Sequence, residues 1–407
     1  MGMVEDRELV RSLGAQVAAI AREPRMQAVR RRWAAVNGLR RADRAPVWCK
    51  PVGCWSEILP PEALRCSDPE LRRIEYGLRQ TIFKRELGDD TIVPEWYPVR
   101  AVFQAEPANR WGVEVGRHAA KSAGGAWSYD PPLRRPADLD RLVMPSWRLD
   151  RAETERQAAL AEELFRGLMP VRVMAVPPWE GTVGTDAADL VGLEQLMLLM
   201  VDEPEMVHRL MAHIRDAYLR SLDEIEASGL LDARLNSQPM YHCDPLPGTP
   251  ADGPVRCEHL MCMANAQEFD QVSPGMWQEF CLPYQLPIFA RFGGVIYGCC
   301  ENLTRKLDGV LSIPNLRVVT CSAWTRLDTV IEKVGRRHCI MWRQKASDVV
   351  FGDDDAKICA DLEDGARRLK GLHYQIVLRE LQTLAGHPDR LHVWTRHAIA
   401  AAEAHAN

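Results

Sequence analysis

Twelve cysteines occur in 407 residues, yet no two of them form a Cys-x-x-Cys pair. That absence removes the zinc ribbons and thioredoxin-type redox motifs built on such pairs. A disulfide framework does not suit a chain this long, so most of these thiols read as small buried hydrophobes in a reducing compartment. No GxGxxG follows a strand-like run and no GxxxxGK[ST] occurs, which takes support from dinucleotide-binding and P-loop readings. No apolar run reaches the ~18 residues of a membrane span. The best one, residues 190–201, is interrupted by Glu194. The opening MGMVEDRELV has early acids and no apolar signal core, and Asp6 breaks the myristoylation pattern. Long blocks of one charge are missing too. Arg30, Arg31 and Arg32 lie on a helical pattern and read as a solvated face rather than a nucleic-acid footprint. The expectation is a cytoplasmic protein with no membrane and no nucleic-acid partner.

What is present is enough apolar residue, 46% of the chain, to bury a large α/β core. Residues 5–43 read as helix packed outside the main core, so 1–44 is expected to be an N-terminal helical extension. Ala45 to Lys50 looks like a first strand. Ser67 and Glu70 make a capping box for a helix through Arg85. Between Asp89 and Asp140 the chain is rich in loops, with Trp96, Trp111 and Trp127, and is expected to be a covering segment. Val171–Val176 is a buried strand, Asp186–Met200 a helix, and Pro204 opens a long amphipathic helix that Gly229 stops. Leu235–His242 and His259–Gln267 read as further strands. Ser273-Pro274 caps the next helix.

The stretch 291–324 organises the rest. Gly293-Gly294 leads into the β-run Val295–Cys300, which ends on Glu301. Helical spacing follows at Leu303, Leu307, Val310 and Leu311, and a second β-run covers Val318–Cys321. Later β-runs are His338–Arg343 and Tyr374–Glu380. Repeated β–α units predict a (β/α)8 barrel over 45–407, and sites in such folds form at the carboxyl ends of strands. That mouth is expected to collect His242, Asp244, Asn265, Gln267, Cys299, Cys300, Glu301, Ser322, Trp324, Arg343, Lys345, Arg379 and Glu380. Strand alternation puts Tyr297, Cys299 and Glu301 on one face, and Cys300 joins them only if the strand bends at Gly298. Cys299 with Asp244, Glu301 or His242 has the donor types of a zinc site. Equally, Cys299 and Cys300 read as small core residues, and Arg379 beside Glu380 as mutual neutralisation.

Several motifs resemble the uroporphyrinogen decarboxylase superfamily: Ser273-Pro274, Glu279-Phe280, Pro283-Tyr284, Arg291-Phe292-Gly293, the run Tyr297–Glu301 (YGCCE), and Ile313–Arg317. Thr185–Gly192 and Asp202–Glu205 resemble its third βα unit. The likeness runs from about Pro46 onward and is closest to the branch of corrinoid-dependent methyltransferases. It implies the (β/α)8 barrel. Thiol-methylating members carry zinc on a His-x-Cys and a late Cys; here those positions are Tyr297, Cys299 and the neighbourhood of Glu380. True decarboxylases have an arginine-rich turn after the first strand, where this chain has Lys50-Pro51-Val52-Gly53-Cys54, so a porphyrin substrate is not expected. The YGCCE run is similar to that of components that demethylate methoxylated compounds and pass the methyl group to cobalt on a separate corrinoid protein. This chain has no DxHxxG motif of its own, so the cobalamin would come from the partner. The resemblance keeps one of those three zinc ligands, Cys299; with Cys300 beside it as a candidate ligand, Asp244 or Glu301 is expected to help hold the metal and Glu380 or Glu301 to serve as the acid. His242, Asn265, Gln267, Tyr297, Trp324, Arg343 and Arg379 would contact an aryl methyl ether or other methylated small molecule. Two alternatives stand beside it: a lyase binding a small carboxylic acid through Arg343, Lys345 or Arg379, and a non-catalytic barrel. Association into a homodimer is left open.

Overall fold

The computed structural model describes residues 2–118, 128–178, 181–352 and 354–406. Its strands are β1 (Val47–Pro51), β2 (Tyr97–Arg100), β3 (Phe103–Glu106), β4 (Gly116–His118), β5 (Ser128–Asp130), β6 (Ser146–Leu149), β7 (Val171–Met174), β8 (Met261–Ala264), β9 (Gly294–Tyr297), β10 (Leu316–Cys321), β11 (Cys339–Arg343) and β12 (Tyr374–Leu381). Six of them form a curled parallel sheet in the order β1-β12-β11-β10-β9-β8, while β2 and β7 form a separate parallel pair. The expected closed barrel is thus present as a half-barrel and a pair. Among the described residues no strand ladder joins the two; Gly181, in the chain that follows β7, donates its N–H to the Met263 carbonyl of β8 at 3.3 Å.

The sheet strands are nearly all apolar because both faces are covered. Ile296, Val318, Met341 and Val377 turn into one inner cluster. Their neighbours Val295, Val319, Ile340 and Ile376 turn outward against helices. The helix Pro204–Ala227 fully buries Val207, Leu210, Met211, Ile214 and Leu222, each contributing about 1.5–3 kcal/mol by removal from water. Ser273 does cap its helix, accepting the Met276 N–H at 3.1 Å.

Five expectations are corrected. Helices Met3–Ala21 and Pro24–Asn37 do not lie outside the core, since Val10, Leu13, Trp33 and Val36 join the inner cluster and close the amino-terminal end of the sheet. The cap of helix Pro69–Leu87 is Asp68, whose carboxylate accepts the Glu70 and Leu71 N–H groups, while Ser67 bonds Asp6 instead. The helix expected over 186–200 divides at Gly192, where φ is 88°.

Residues 235–242 form no strand. Pro239 has no N–H to give, Met240 is left-handed at φ 73°, and Asn236 does the bonding a neighbouring strand would. Its side chain accepts the Met261 N–H at 2.9 Å and donates to the His259 carbonyl at 3.0 Å. The covering segment also proves mixed. Its β2 belongs to the parallel pair, its β3 pairs antiparallel with β6 beyond the segment, and β4 pairs antiparallel with β5. Trp111 is buried, and Trp127 lies outside the described residues. No described helix is long and apolar enough to cross a membrane.

Candidate active site at the carboxyl end of the sheet

The strand β9 stops at Tyr297 because Gly298 takes φ 110°. A Cβ there would meet Leu303 Cδ1 and Thr320 Cβ at 2.9 Å, so only glycine fits the close approach and the left-handed backbone. The bend breaks the alternation. Tyr297 faces the helices, fully buried between Trp277 and Phe289, with its hydroxyl donating to Gln285 Oε1 at 3.1 Å. Cys299 and Cys300 swing to the other side, their sulfurs 3.5 Å apart.

From β12 comes Glu380, itself left-handed at φ 63°. A residue with a side chain is strained there, at a cost of about 1–2 kcal/mol. The turn aims its carboxylate at the thiols, with Oε1 3.5 Å from Cys300 Sγ. Ligand atoms of Cys299, Cys300 and Glu380 all lie within 4.8 Å of one another. At the end of β11 the buried guanidinium of Arg343 ties the cluster together. Its Nη1 donates to Glu380 Oε1 at 2.5 Å and to the Cys299 carbonyl at 2.9 Å, and lies 4.0 Å from Cys299 Sγ. Arg379 stands beside it, half-buried against Met263.

The electrostatics divide the two thiols. Cys299 is pulled down to about 6 by the hydrogen bond from the Cys300 thiol, then, against the opposing effect of burial, by the charges of Arg343 and Arg379. Cys300 moves up, because it holds the shared proton beside a thiolate and is half-buried near Glu380. A sulfur with thiolate character between two cations is the nucleophile or metal-ligand form of cysteine.

Other expected residues lie elsewhere. Glu301 is buried and does not face the thiols' open side. It accepts the Ala266 N–H at 3.0 Å and the Cys299 N–H at 2.8 Å, which makes it a brace of the turn. Burial raises its pKa. Ser322 supports the same turn by donating to the Glu301 carbonyl at 2.8 Å. Asn265 is buried at the end of β8, with Oδ1 3.4 Å from the Gln267 N–H, and Gln267 is exposed on the following turn. Trp324 is an exposed indole under Lys345, whose Nζ lies 5.3 Å from the ring centroid.

His242 and Asp244 are at the opposite, amino-terminal end, because the strand expected to carry them is absent. Asp244 is exposed and pairs with Arg40. The His242 carbonyl accepts from Asn37, and burial, then the charge of Arg30, lowers the ring's pKa to about 4. Both border a cavity of about 430 Å³ near His259, which precedes β8. Tyr297, Glu301, His242 and Asp244 therefore leave the mouth, and Cys299, Cys300, Arg343, Arg379 and Glu380 meet there.

Two larger cavities, of about 640 and 550 Å³, border the β2/β7 pair, and neither is lined by Cys299, Cys300 or Glu380. The residues of the first, notably Arg110 and Tyr218, carry no motif that would have singled them out in the sequence.

No family model matches the chain, and no curated protein matches it in sequence. Its fold is similar to that of a methyltransferase from Methanosarcina mazei. The TM-score is 0.52 at 13% identity, over 91% of this chain and 98% of that one. At that identity the likeness is one of fold.

Proposed function

We propose that this chain is a methyltransferase that takes a methyl group from a methoxylated or otherwise methylated small molecule and delivers it to Co(I) of a separate corrinoid protein. The convergence of Cys299, Cys300 and Glu380 at the carboxyl end of the sheet is the observation that carries this reading. The fold neighbour, a methyltransferase, supports it, as does a reading of the half-barrel and the β2/β7 pair together as one eight-stranded barrel.

A zinc-type ion fits the cluster. Tetrahedral ligand atoms at about 2.0–2.3 Å from zinc lie roughly 3.3–3.8 Å from each other. The sulfur–sulfur and Cys300–Glu380 separations are both 3.5 Å. Two thiolates and a carboxylate would be balanced by a divalent ion together with Arg343. Such an ion, held by Cys299, Cys300 and Glu380, supplies Lewis acidity toward the heteroatom that loses the methyl group.

The chain's own residues do the remaining work. In the transfer the carbon–heteroatom bond breaks with its electron pair left on the heteroatom, and the new carbon–cobalt bond uses the cobalt's pair. Developing negative charge on the leaving atom is what must be stabilised. Arg343 fixes Glu380 and the Cys299 carbonyl, and Glu301 holds the turn that presents both thiols. The lyase alternative is weakened at one point: Arg343 is already engaged by Glu380 and the Cys299 carbonyl, which leaves Arg379 and Lys345 for a substrate carboxylate.

The test mixes the purified protein with reduced corrinoid protein and a panel of methoxylated and methylated compounds, following methyl-cobalt by absorbance. Metal content is measured on the same sample. Methyl-cobalt formation with about one bound zinc per chain is the expected result. A protein that yields none across the panel, with corrinoid shown competent, is not this enzyme.

A further inference from the structure

All twelve cysteines are free thiols, and most are buried. Cys243, Cys300 and Cys359 are the ones that reach partway to the surface. A half-buried thiol on its own has no second sulfur to close on. Cys300 has one, since its Sγ lies 3.5 Å from that of Cys299, and among the described residues this is the one hydrogen bond between two sulfurs.

The two residues are held differently. Cys299 is clamped through its backbone: its N–H donates to Glu301 Oε2 at 2.8 Å, and its carbonyl accepts from Arg343 Nη1 at 2.9 Å. The Cys300 backbone makes no hydrogen bond among the described residues, because Gly298 has already turned the chain out of the β9 ladder. Its side chain is steered by Glu380 Oε1, 3.5 Å from the sulfur. One sulfur is therefore fixed, and the other can swing toward it by about 1.5 Å to reach the S–S bond length of about 2.05 Å.

We propose that Cys299 and Cys300 are a redox modification site, closing to a vicinal disulfide under peroxide and reopening under a thiol reductant. One sulfur attacks a peroxide oxygen; the O–O bond breaks, water leaves, and a sulfenic acid remains. The second sulfur then attacks the first, forming the S–S bond as the S–O bond breaks and a second water leaves. In sum, two thiols and one hydrogen peroxide give one disulfide and two waters, each sulfur giving up one electron.

Adjacency in the chain makes the bond easy to undo. Neighbouring Cα atoms are about 3.8 Å apart across a trans peptide, short of the roughly 4.4–6.8 Å that disulfides usually span. Strained disulfides have the higher reduction potentials of regulatory pairs. In the closed state neither sulfur is a thiolate, so neither serves as a metal ligand. As a control on methyl transfer this rests on the methyl-transfer reading; as a bond between two sulfurs it does not.

The test treats the full chain with hydrogen peroxide, once stripped of metal by a chelator and once loaded with zinc. Remaining thiols are alkylated and the cysteines mapped by peptide mass. In the stripped chain the peptide spanning 299–300 should lose two hydrogens, escape alkylation and recover under dithiothreitol. It should close at least tenfold faster than Cys243 or Cys359 is oxidised. In the loaded chain, zinc should appear in solution in step with the loss of the two thiols, as read by a metal indicator. Cys300→Ser should stop at a sulfenic acid on Cys299, trapped by dimedone. Sulfinic or sulfonic acid as the main product at either position, a link from either to a third cysteine, or an oxidation that dithiothreitol does not reverse overturns the proposal. So does a pair still open to alkylation when Cys243 and Cys359 are spent. A pair that closes and reopens in a chain that forms no methyl-cobalt leaves the site standing and removes its control of transfer.

Discussion

The two ends of the parallel sheet use charge in opposite ways. At the amino-terminal end a buried acid is spent on partners from the chain itself. Asp90, almost fully buried, holds Arg32 at 2.5 Å, Arg44 at 2.7 Å and the Val47 N–H at 2.8 Å. Asn37 joins the same end to the rest, donating to the carbonyls of Met240 and His242 and accepting from Gln375. At the carboxyl end one arginine, Arg343, is shared by a carboxylate, a carbonyl and a thiol, and two sulfurs crowd at 3.5 Å. At the first end Asp90 and Asn37 are spent on the chain's own groups, and the second has donor atoms to spare. In parallel α/β folds the former is where stability is kept and the latter where chemistry is placed.

Substitutions should separate the ends cleanly. Asp90→Ala takes the shared carboxylate from Arg32 and Arg44, which keep Asp43 and Glu403, and is expected to lower unfolding stability by about 3 kcal/mol, the low end for a buried pair broken on one side, with metal content unchanged in whatever remains folded; denaturant titration measures it. Cys299→Ser is expected to cut methyl transfer at least ~100-fold, about 2.7 kcal/mol of barrier, and to abolish stoichiometric metal. Its thermal midpoint should move by less than about 3 °C. If Cys299→Ser instead unfolds the protein while retaining metal, the division between the ends is wrong.

Glu75, fully buried, sharpens the comparison through pH. Burial pushes its carboxyl up, but the Cys66 and Arg65 N–H groups and Arg79 outweigh that and hold it below the ordinary range. A carboxyl depressed on folding stabilises above its unfolded pKa of about 4.3 and ceases to as pH falls through the folded value. Glu75→Gln should therefore cost about 1–3 kcal/mol at pH 7, and the gap to the parent should close in acid. A gap that stays constant down to pH 3 would contradict this. Asp68→Ala, which removes the cap of Pro69–Leu87, is the smallest effect, about 1 kcal/mol, with no change in methyl transfer.

The strands of the sheet were legible because their apolar runs are long and bounded by Gly and Pro, as at Val295 and Val318. The thiol pair was legible as residues, and its geometry depended on one conformational choice, the bend at Gly298, which alternation alone does not predict. His242 and Asp244 were misplaced by a different error. Leu235, Met240 and the residues around them have strand-like composition, but a side chain of Asn236 replaces the ladder, and no pattern of hydrophobicity reports that substitution. Glu301 looked like an acid at a strand end, and it is one, spent on backbone N–H groups at the ends of the adjacent strands β8 and β9. The capping error is of the same kind at smaller scale, since Ser67 and Asp68 are both good caps and only the position of Asp6 decides between them.

That Asn236 finishes the edge of β8 has a mechanical consequence. The β2/β7 pair carries its own hydrogen bonds, and among the described residues no ladder ties it to β8. A displacement of the pair by an ångström or so would therefore break no ladder to the six-stranded sheet. Amide exchange should accordingly run faster in β2 and β7 than in β10 and β11.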